Sequence, residues 1–481
     1  MTGPELLAAA RAGTVIIAGA GVSGAGIAGI LADAGATGLV IADDDLARGT
    51  ALAGAHGARA VDVAGAIAML GSAALVAASP GWRPDAPLFA AAAAAGVPVT
   101  GEVALARAAD AAGVWGPPRT WLAVTGTNGK TTTTGMLAAM LGDRGAAVGN
   151  IGVALHDALT AKPRVGVLAA ELSSFQLHRA PGLAPEAGAL LNLAEDHIDW
   201  HGGFEAYAMA KAAALTGAVA VYGADDPKVR AVVDRLRAEG RLAPTAVGFT
   251  AGEPAPGQVG VADGRILDRA FADDPAGLPL AEVAGISPPG LPGVLDAVAA
   301  AALARAAGAA PAEIARGLAG FTVAAHRGQL VHRSRGGAVA WYDDSKATNP
   351  HAADAAMTGV PEFTWVGGGQ LKGADIRPLL ARHAGRMEAA VLLGADAPVI
   401  AAALAEARPG LPVTVIEDTD PRSAMSAAVR AAAAHATSRV LLAPAAASLD
   451  MFEGMAQRGE LFAEAARALD GAAAPGEGES P

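Results

Sequence analysis

A chain of 481 residues, 52% hydrophobic and 17% charged, can bury several cores and is long enough for about three domains of ordinary size. Its net charge of −12 and pI near 5.3 leave no bulk attraction for nucleic acid or another polyanion, so phosphate must be held at local sites. The absence of cysteine excludes disulfides, thiolate metal sites and cysteine nucleophiles.

The N-terminus lacks a basic segment followed by an apolar run and a cleavage site, and apolar stretches such as 86–99 are too short to span a bilayer. A cytoplasmic protein without membrane insertion is expected. Residues 14–18 read as a buried strand, 24–34 as a helix, and 38–42 as a second strand ending on Asp43, Asp44 and Asp45, which opens a doubly wound α/β unit. Between the first strand and the helix lies Gly19-Ala20-Gly21-Val22-Ser23-Gly24, a G-x-G-x-x-G whose backbone N–H groups and helix N-terminus would face an anion. Three readings stand at this point: a dinucleotide with one of the acids on its ribose, a tight turn and nothing more, or the diphosphate of a nucleotide-linked substrate.

Gly116-Pro117-Pro118 breaks the chain before a new strand at 121–124, which sets the first domain at 1–118. The strand runs into Thr125-Gly126-Thr127-Asn128-Gly129-Lys130-Thr131-Thr132 and then a helix, 133–141. Such a loop exposes consecutive N–H groups to phosphates, Lys130 adds a point charge near the β- and γ-phosphates, and a threonine hydroxyl can ligate Mg²⁺. Its two glycines are separated by two residues where the usual phosphate loop has four, so it is a variant. Strands at 165–169, 187–191 and 218–222, interleaved with helical patterns, predict a parallel sheet. Glu171 follows the first of these and is a candidate magnesium ligand. Asn192-Leu193-Ala194-Glu195-Asp196-His197 follows the second and brings acids and a histidine to the same edge. A third series, with strands at 339–342, 363–366, 390–393, 413–416 and 439–442, predicts another α/β domain, and the Gly-, Pro-, Ala- and Glu-rich tail is expected to be disordered.

The loop 125–131, the segment Glu171-Leu172-Ser173-Ser174-Phe175-Gln176-Leu177, Glu195-Asp196-His197 and Tyr207-x-x-x-Lys211 together resemble the central ATPase domain of the Mur ligases, the amide-forming enzymes of peptidoglycan synthesis. Asp343-Asp344-Ser345-Lys346-Ala347-Thr348-Asn349-Pro350 resembles the third-domain motif of the same family. Leu442 to Phe452, with Arg458-Gly459 after it, is similar to the branch that adds D-glutamate. The likeness spans about 19–462 and implies three α/β domains: a Rossmann-like domain (1–118) for the UDP-linked substrate, a P-loop ATPase-like parallel sheet (119–323), and a Rossmann-like amino-acid domain (324–471), with 472–481 as the tail. The implied reaction has ATP phosphorylate the alanyl carboxylate of UDP-N-acetylmuramoyl-L-alanine, after which the D-glutamate amine displaces phosphate. A monomer is expected.

Carried over residue by residue, the resemblance puts Gly21, Val22, Ser23, Ser79 and Gly81 on the uridine diphosphate side, and Asn150 and His197 on the sugar and lactoyl side. Gly126, Thr127, Asn128, Gly129, Lys130, Thr131 and Thr132 would hold the ATP phosphates, with Arg327 and Asp344 also on the ATP side. Thr131 and Glu171 would hold one Mg²⁺, and His197 with a carbamylated Lys211 a second. His326 would contact substrate, and Lys346, Thr348, Lys372, Ser448 and Leu449 would form the D-glutamate pocket. The chain departs from the pattern at 289–296, where the expected histidine and first asparagine are missing and Asp296 stands for the asparagine near adenine. Met455 stands where an aromatic residue is common. The alternatives are a sister ligase for another amino acid, a folate polyglutamate ligase, an NAD-dependent oxidoreductase and a non-catalytic nucleotide-binding protein. The oxidoreductase would explain the first glycine loop and leave the second unexplained.

Overall fold

The computed structural model describes residues 1–151, 153–323 and 325–469; Gly152 and the tail 472–481 lie outside the described residues. The chain forms two compact units, one of Met1–Ile286 with Leu295–Phe321, the other of Ser287–Val294 with the chain from Thr322 onward. The boundary expected at 118 falls between two sheets of the first unit.

The N-terminal sheet comprises Thr14–Ala18 (β1), Leu39–Ala42 (β2), Arg59–Val61 (β3), Ala73–Ala78 (β4) and Val99–Gly101 (β5), all parallel, in the order β3-β2-β1-β4-β5. Val15, Ile16 and Ile17 are fully buried, as expected for a β-branched run in a central parallel strand covered on both faces. The order reverses between β1 and β4, the kind of switch point at whose carboxyl ends open α/β sheets take their ligands, and the glycine loop leaves β1 at that end.

The second sheet comprises Thr120–Thr125 (β6), Gly145–Gly149 (β7), Val167–Glu171 (β8), Ala187–Leu190 (β9), Val219–Gly223 (β10), Thr245–Phe249 (β11), Gln258–Ala262 (β12), Arg265–Asp268 (β13) and Leu278–Glu282 (β14). Its order is β14-β13-β12-β11-β10-β9-β6-β8-β7. The strands are parallel from β7 to β12, but β12-β13-β14 is an antiparallel ribbon, so the purely parallel sheet expected from the sequence is corrected to a mixed one. The turn at Asp263-Gly264, both with positive φ, makes that reversal. Helix Pro227–Ala238 shows how the outer layer is written: Asp226 caps it, Pro227 opens it, and Val229, Val232, Val233 and Leu236 form its buried stripe.

The junction between the two sheets is polar and dry. Asp110 and Arg119 are 0% and 1% exposed and ion-paired, and the same guanidinium donates to the Leu159 carbonyl while Trp121 Nε1 donates to Asp110 Oδ2. Removing one partner of such a pair costs about 3–5 kcal/mol, because it leaves a buried charge uncompensated.

The second unit carries Gln329–Ser334 (β15), Val339–Asp343 (β16), Phe363–Gly368 (β17), Met387–Leu393 (β18), Val413–Val415 (β19) and Arg439–Leu442 (β20). They form the order β15-β16-β20-β17-β18-β19, parallel except for β15. No helix among the described residues is long and apolar enough to cross a membrane.

Candidate active site

The phosphate loop leaves β6 at Thr125 and enters helix Lys130–Leu141 at Gly129, whose φ of 81° is left-handed. A side chain at Gly129 would collide with the Asp296 carboxylate, and one at Gly126 would come within 2.9 Å of Leu191 Cβ, so both glycines are required by packing. The loop is clamped from β9: Asn128 N–H donates to Asn192 Oδ1 (2.8 Å), Thr127 N–H to the Asn192 carbonyl (3.0 Å), and Ala194 N–H to Thr127 Oγ1 (2.9 Å). Asp296 supports it from the other side, accepting from Thr133 Oγ1 at 3.1 Å. It is carried by helix Leu291–Ala306, in which Ala297 to Ala304 are all fully buried. Lys130 Nζ contacts the Gly126 and Thr127 carbonyls at 3.0 and 2.8 Å.

Beside the loop, Thr131 Oγ1 donates to Glu171 Oε2 at 2.7 Å, and Asn150 Nδ2 donates to Glu171 Oε1 at 2.8 Å. Glu171 is the last residue of β8, 2% exposed, so the strand end aims its carboxylate at the helix start. A carboxylate and a hydroxyl at this separation can face one hard cation, which suits Mg²⁺ completed by phosphate and water oxygens. Lys211, on helix Phe204–Ala212, is 2% exposed; its Nζ donates to the Gly126 carbonyl at 2.8 Å and lies 4.9 Å from the Tyr207 ring. Burial, then the Lys130 charge, pull its amine well below the usual lysine range, while Asp196 and Glu171 oppose them. Tyr207, one turn earlier, bonds Thr127 Oγ1 through its hydroxyl at 2.9 Å.

His197 stands differently. It has φ 52° at the start of helix Ile198–His201, is 48% exposed at its side chain, and packs against Phe175 (4.6 Å) with Asp196 at 3.5 Å. Among the described residues no three His, Cys, Asp or Glu side chains gather as a metal cage. Sequence reasoning missed His201, whose Nε2 lies 3.0 Å from Ser174 Oγ and whose ring packs on Tyr207; burial pushes its pKa down to about 4. The Asp199-Trp200-His201 string was the available signal.

In the N-terminal loop the three glycines differ. Gly19 has φ 96°, and a side chain at Gly24 would collide with the Gly19 carbonyl, so these two serve the turn. Among the described residues nothing lies within 4 Å of a Cβ built at Gly21, and Val22 is 79% exposed. A tight turn therefore explains the outer glycines and leaves the middle one open to a ligand. A Cβ at Gly81 would also meet open space, and the buried Ser79 hydroxyl, packed at Gly19, has no hydrogen-bond partner among the described residues.

In the second unit three loops follow adjacent strands β16, β20 and β17. Asp343 ends β16 and accepts from Ser345 N–H (2.9 Å) while meeting His326 Nδ1 at 2.6 Å. Arg458, 0% exposed, ties the loops together: Nε donates to Ser345 Oγ (3.0 Å), Nη2 to the Ser345 carbonyl (2.9 Å), and Nη1 to the Ala446 and Gly368 carbonyls (3.1 and 3.3 Å). Lys346 and Lys372 are exposed, Lys372 at φ 52°; Thr348 N–H donates to the Lys346 carbonyl, Ser448 is buried and Leu449 is 67% exposed. Desolvation, then Asp343, push the Asp344 carboxyl up to about 7 against Arg327.

The chain matches the Mur ligase middle domain over 124–251 and the Mur ligase, glutamate ligase domain over 326–446. It is 52% identical over 458 residues to the UDP-N-acetylmuramoylalanine--D-glutamate ligase of Corynebacterium efficiens, covering 94% of each chain. The chain belongs to the UDP-N-acetylmuramoylalanine--D-glutamate ligase family. The Mycobacterium tuberculosis ligase of this family is 48% identical over 398 residues, 76% of this chain and 78% of that protein. The fold extends further: MurF from Acinetobacter baumannii superposes with a TM-score of 0.58 at 16% identity, over 97% of this chain and 98% of that one. Membership in the ligase family agrees with the variant phosphate loop, since the clamp by Asn192 and the Asp296 support hold a shorter glycine turn without the usual spacing.

Proposed function

We propose that this chain joins D-glutamate to UDP-N-acetylmuramoyl-L-alanine in the cytoplasm, consuming ATP and releasing ADP and phosphate, through an acyl-phosphate intermediate. Membership in the ligase family carries this reading; the convergence of Thr131, Glu171 and Asn150 beside the Lys130 loop supports the division of labour within it. The first glycine loop takes the uridine diphosphate, for which the open Gly21 and the unpartnered Ser79 hydroxyl are suited. This replaces the dinucleotide reading.

A carboxylate is a poor acyl donor because its oxygen leaves badly, and phosphorylation turns that oxygen into a good leaving group. The protein's part is alignment and charge neutralisation. Residues 126–132 hold the phosphates, Lys130 meets the developing charge, and Thr131 with Glu171 hold the first cation. Mg²⁺ bound there would neutralise phosphate charge. Asn150 orients Glu171 and faces the sugar side, as does His197. The neutral amine of Lys211 is the form that reacts with CO₂, so carbamylation is chemically open to it, and the resulting anion would support a second cation with His197. Lys346, Thr348, Lys372, Ser448 and Leu449 form the D-glutamate pocket, His326 contacts substrate, and Arg327, Asp344 and Asp296 serve the nucleotide.

The test is the product mass after incubation with UDP-N-acetylmuramoyl-L-alanine, ATP, Mg²⁺ and a panel of amino acids. A gain of one glutamate residue, from the D-isomer only, is expected. A gain from another amino acid assigns a sister activity, and ATP-independent reduction of NAD would overturn the ligase reading.

A further inference from the structure

The turn that follows β4 carries a tryptophan that the chemistry above leaves unused. Ser79 N–H donates to the Ala18 carbonyl at 3.0 Å, which sets the start of the turn beside the end of β1, and Trp82 N–H closes it on the Ser79 carbonyl at 3.3 Å. Both side chains then converge on the glycine loop. A Cβ at Gly19 would lie 2.9 Å from Trp82 Nε1 and 3.1 Å from Ser79 Oγ, so the two polar atoms face one place at the carboxyl end of β1, and glycine keeps it clear of a side chain. Neither atom has a hydrogen-bond partner among the described residues, although the Ser79 hydroxyl is buried and Trp82 half-buried. A packed tryptophan usually pairs its N–H, so two free donors aimed at one place call for an acceptor from outside the chain.

The indole is fixed before any ligand arrives. Its ring meets Phe89, on helix Pro87–Ala94, edge-on at 5.8 Å, and the Arg179 guanidinium covers the face of Phe89 at 4.1 Å. Phe89 and Arg179 are 5% and 8% exposed. Next to Trp82, Arg83 Nη2 donates to the Asp199 carbonyl at 3.1 Å, which ties the turn to helix Ile198–His201 of the second sheet's layer. The charge balance favours an anion. Asp43 and Asp85 are paired with Arg48 and Arg83, whereas Arg179 forms no ion pair among the described residues and its Nε and Nη2 have no acceptor.

We propose that Trp82 is a further binding residue for the UDP-linked substrate, its indole N–H donating together with the Ser79 hydroxyl to oxygens of the diphosphate. This rests on the reading that the first glycine loop takes that diphosphate. Phosphate oxygens are acceptors only and carry charge, which suits donors that have no acceptor of their own. Because packing already holds the ring, binding does not have to order it.

The test uses the full-length enzyme, with calorimetry for UDP-N-acetylmuramoyl-L-alanine and with UDP and uridine as competitive inhibitors. Trp82→Phe keeps an aromatic ring against Phe89 and removes the N–H. It is expected to weaken the substrate and UDP roughly tenfold each, the lower end for a hydrogen bond to a charged group, while uridine inhibition, KM for ATP and the melting temperature stay near wild type. Wild-type affinity for UDP in Trp82→Phe overturns the proposal. Equal losses for UDP and uridine overturn it as well, since the ring would then serve the base, and an equal loss for ATP marks a packing defect and counts against it. Unchanged affinity for UDP in both Ser79→Ala and Gly21→Trp overturns the diphosphate reading itself.

Discussion

Replacing Arg458 by Met keeps most of the side-chain volume and removes four hydrogen bonds at once. Left behind in a dry interior are the Ser345, Gly368 and Ala446 carbonyls, while the Ser345 hydroxyl keeps its own bond to the Met455 carbonyl at 2.7 Å. Each unsatisfied group costs about 1–3 kcal/mol. Against this stands the relief of no longer burying a cation, whose pKa burial has already pulled down to about 10. The net is expected at about 3–5 kcal/mol, the range for breaking a buried charged network. For a domain of this size that is a fall in melting temperature of roughly 6–20 °C, read by calorimetry on the full chain. Because the loops that Arg458 ties include Ser345 to Thr348 and Ala445 to Ser448, KM for D-glutamate should rise with it, and Arg458→Lys should recover only part of both losses, since an ammonium lacks the planar fork. A melting point within about 3 °C of wild type would show that packing, rather than these bonds, fixes the loops.

Further predictions concern the charged groups. Lys346→Ala and Lys372→Ala should each raise KM for D-glutamate roughly ten- to hundred-fold, the equivalent of about 1.5–3 kcal/mol for a charge-assisted hydrogen bond, with less effect on KM for ATP; equal effects on both refute the pocket. Lys211→Ala should be inactive and partly rescued by a small carboxylic acid, and full activity in the unrescued variant refutes the carbamate. Asp344 has a folded pKa raised to about 7 from 3.8, so its proton favours folding most at low pH, and that contribution is lost as pH rises from about 4 through 7. Asp344→Asn should thus be relatively more stable than wild type at pH 8 and equal to it near pH 3, as measured by denaturant unfolding; a difference independent of pH contradicts the assignment.

The central strands were legible because their burial on two faces writes continuous apolar runs, as in Thr14–Ala18 and Thr120–Thr125. The phosphate loop was legible because its strand, glycines and lysine are contiguous. The antiparallel ribbon was not, although Asp263-Gly264 marked its turn: Gln258–Ala262 and Arg265–Asp268 are short strands of mixed burial that write no continuous apolar run. What the sequence conceals at the site is long-range pairing. Asn192, Asp296 and Tyr207 reach the phosphate loop from 64, 163 and 80 positions away.

The helix that carries Asp296 has no wet face from Ala297 to Ala304. It cannot roll about its axis without driving a methyl or Leu303 into packed neighbours, because interiors close to crystalline density leave no slack. The floor under Gly129 is thus set when the chain folds and is already in place when nucleotide arrives. Mutational drift in nucleotide affinity then has two routes of unequal breadth. Exposed positions around the site can vary gradually, whereas one added methylene anywhere from Ala297 to Ala304 meets a packed interior.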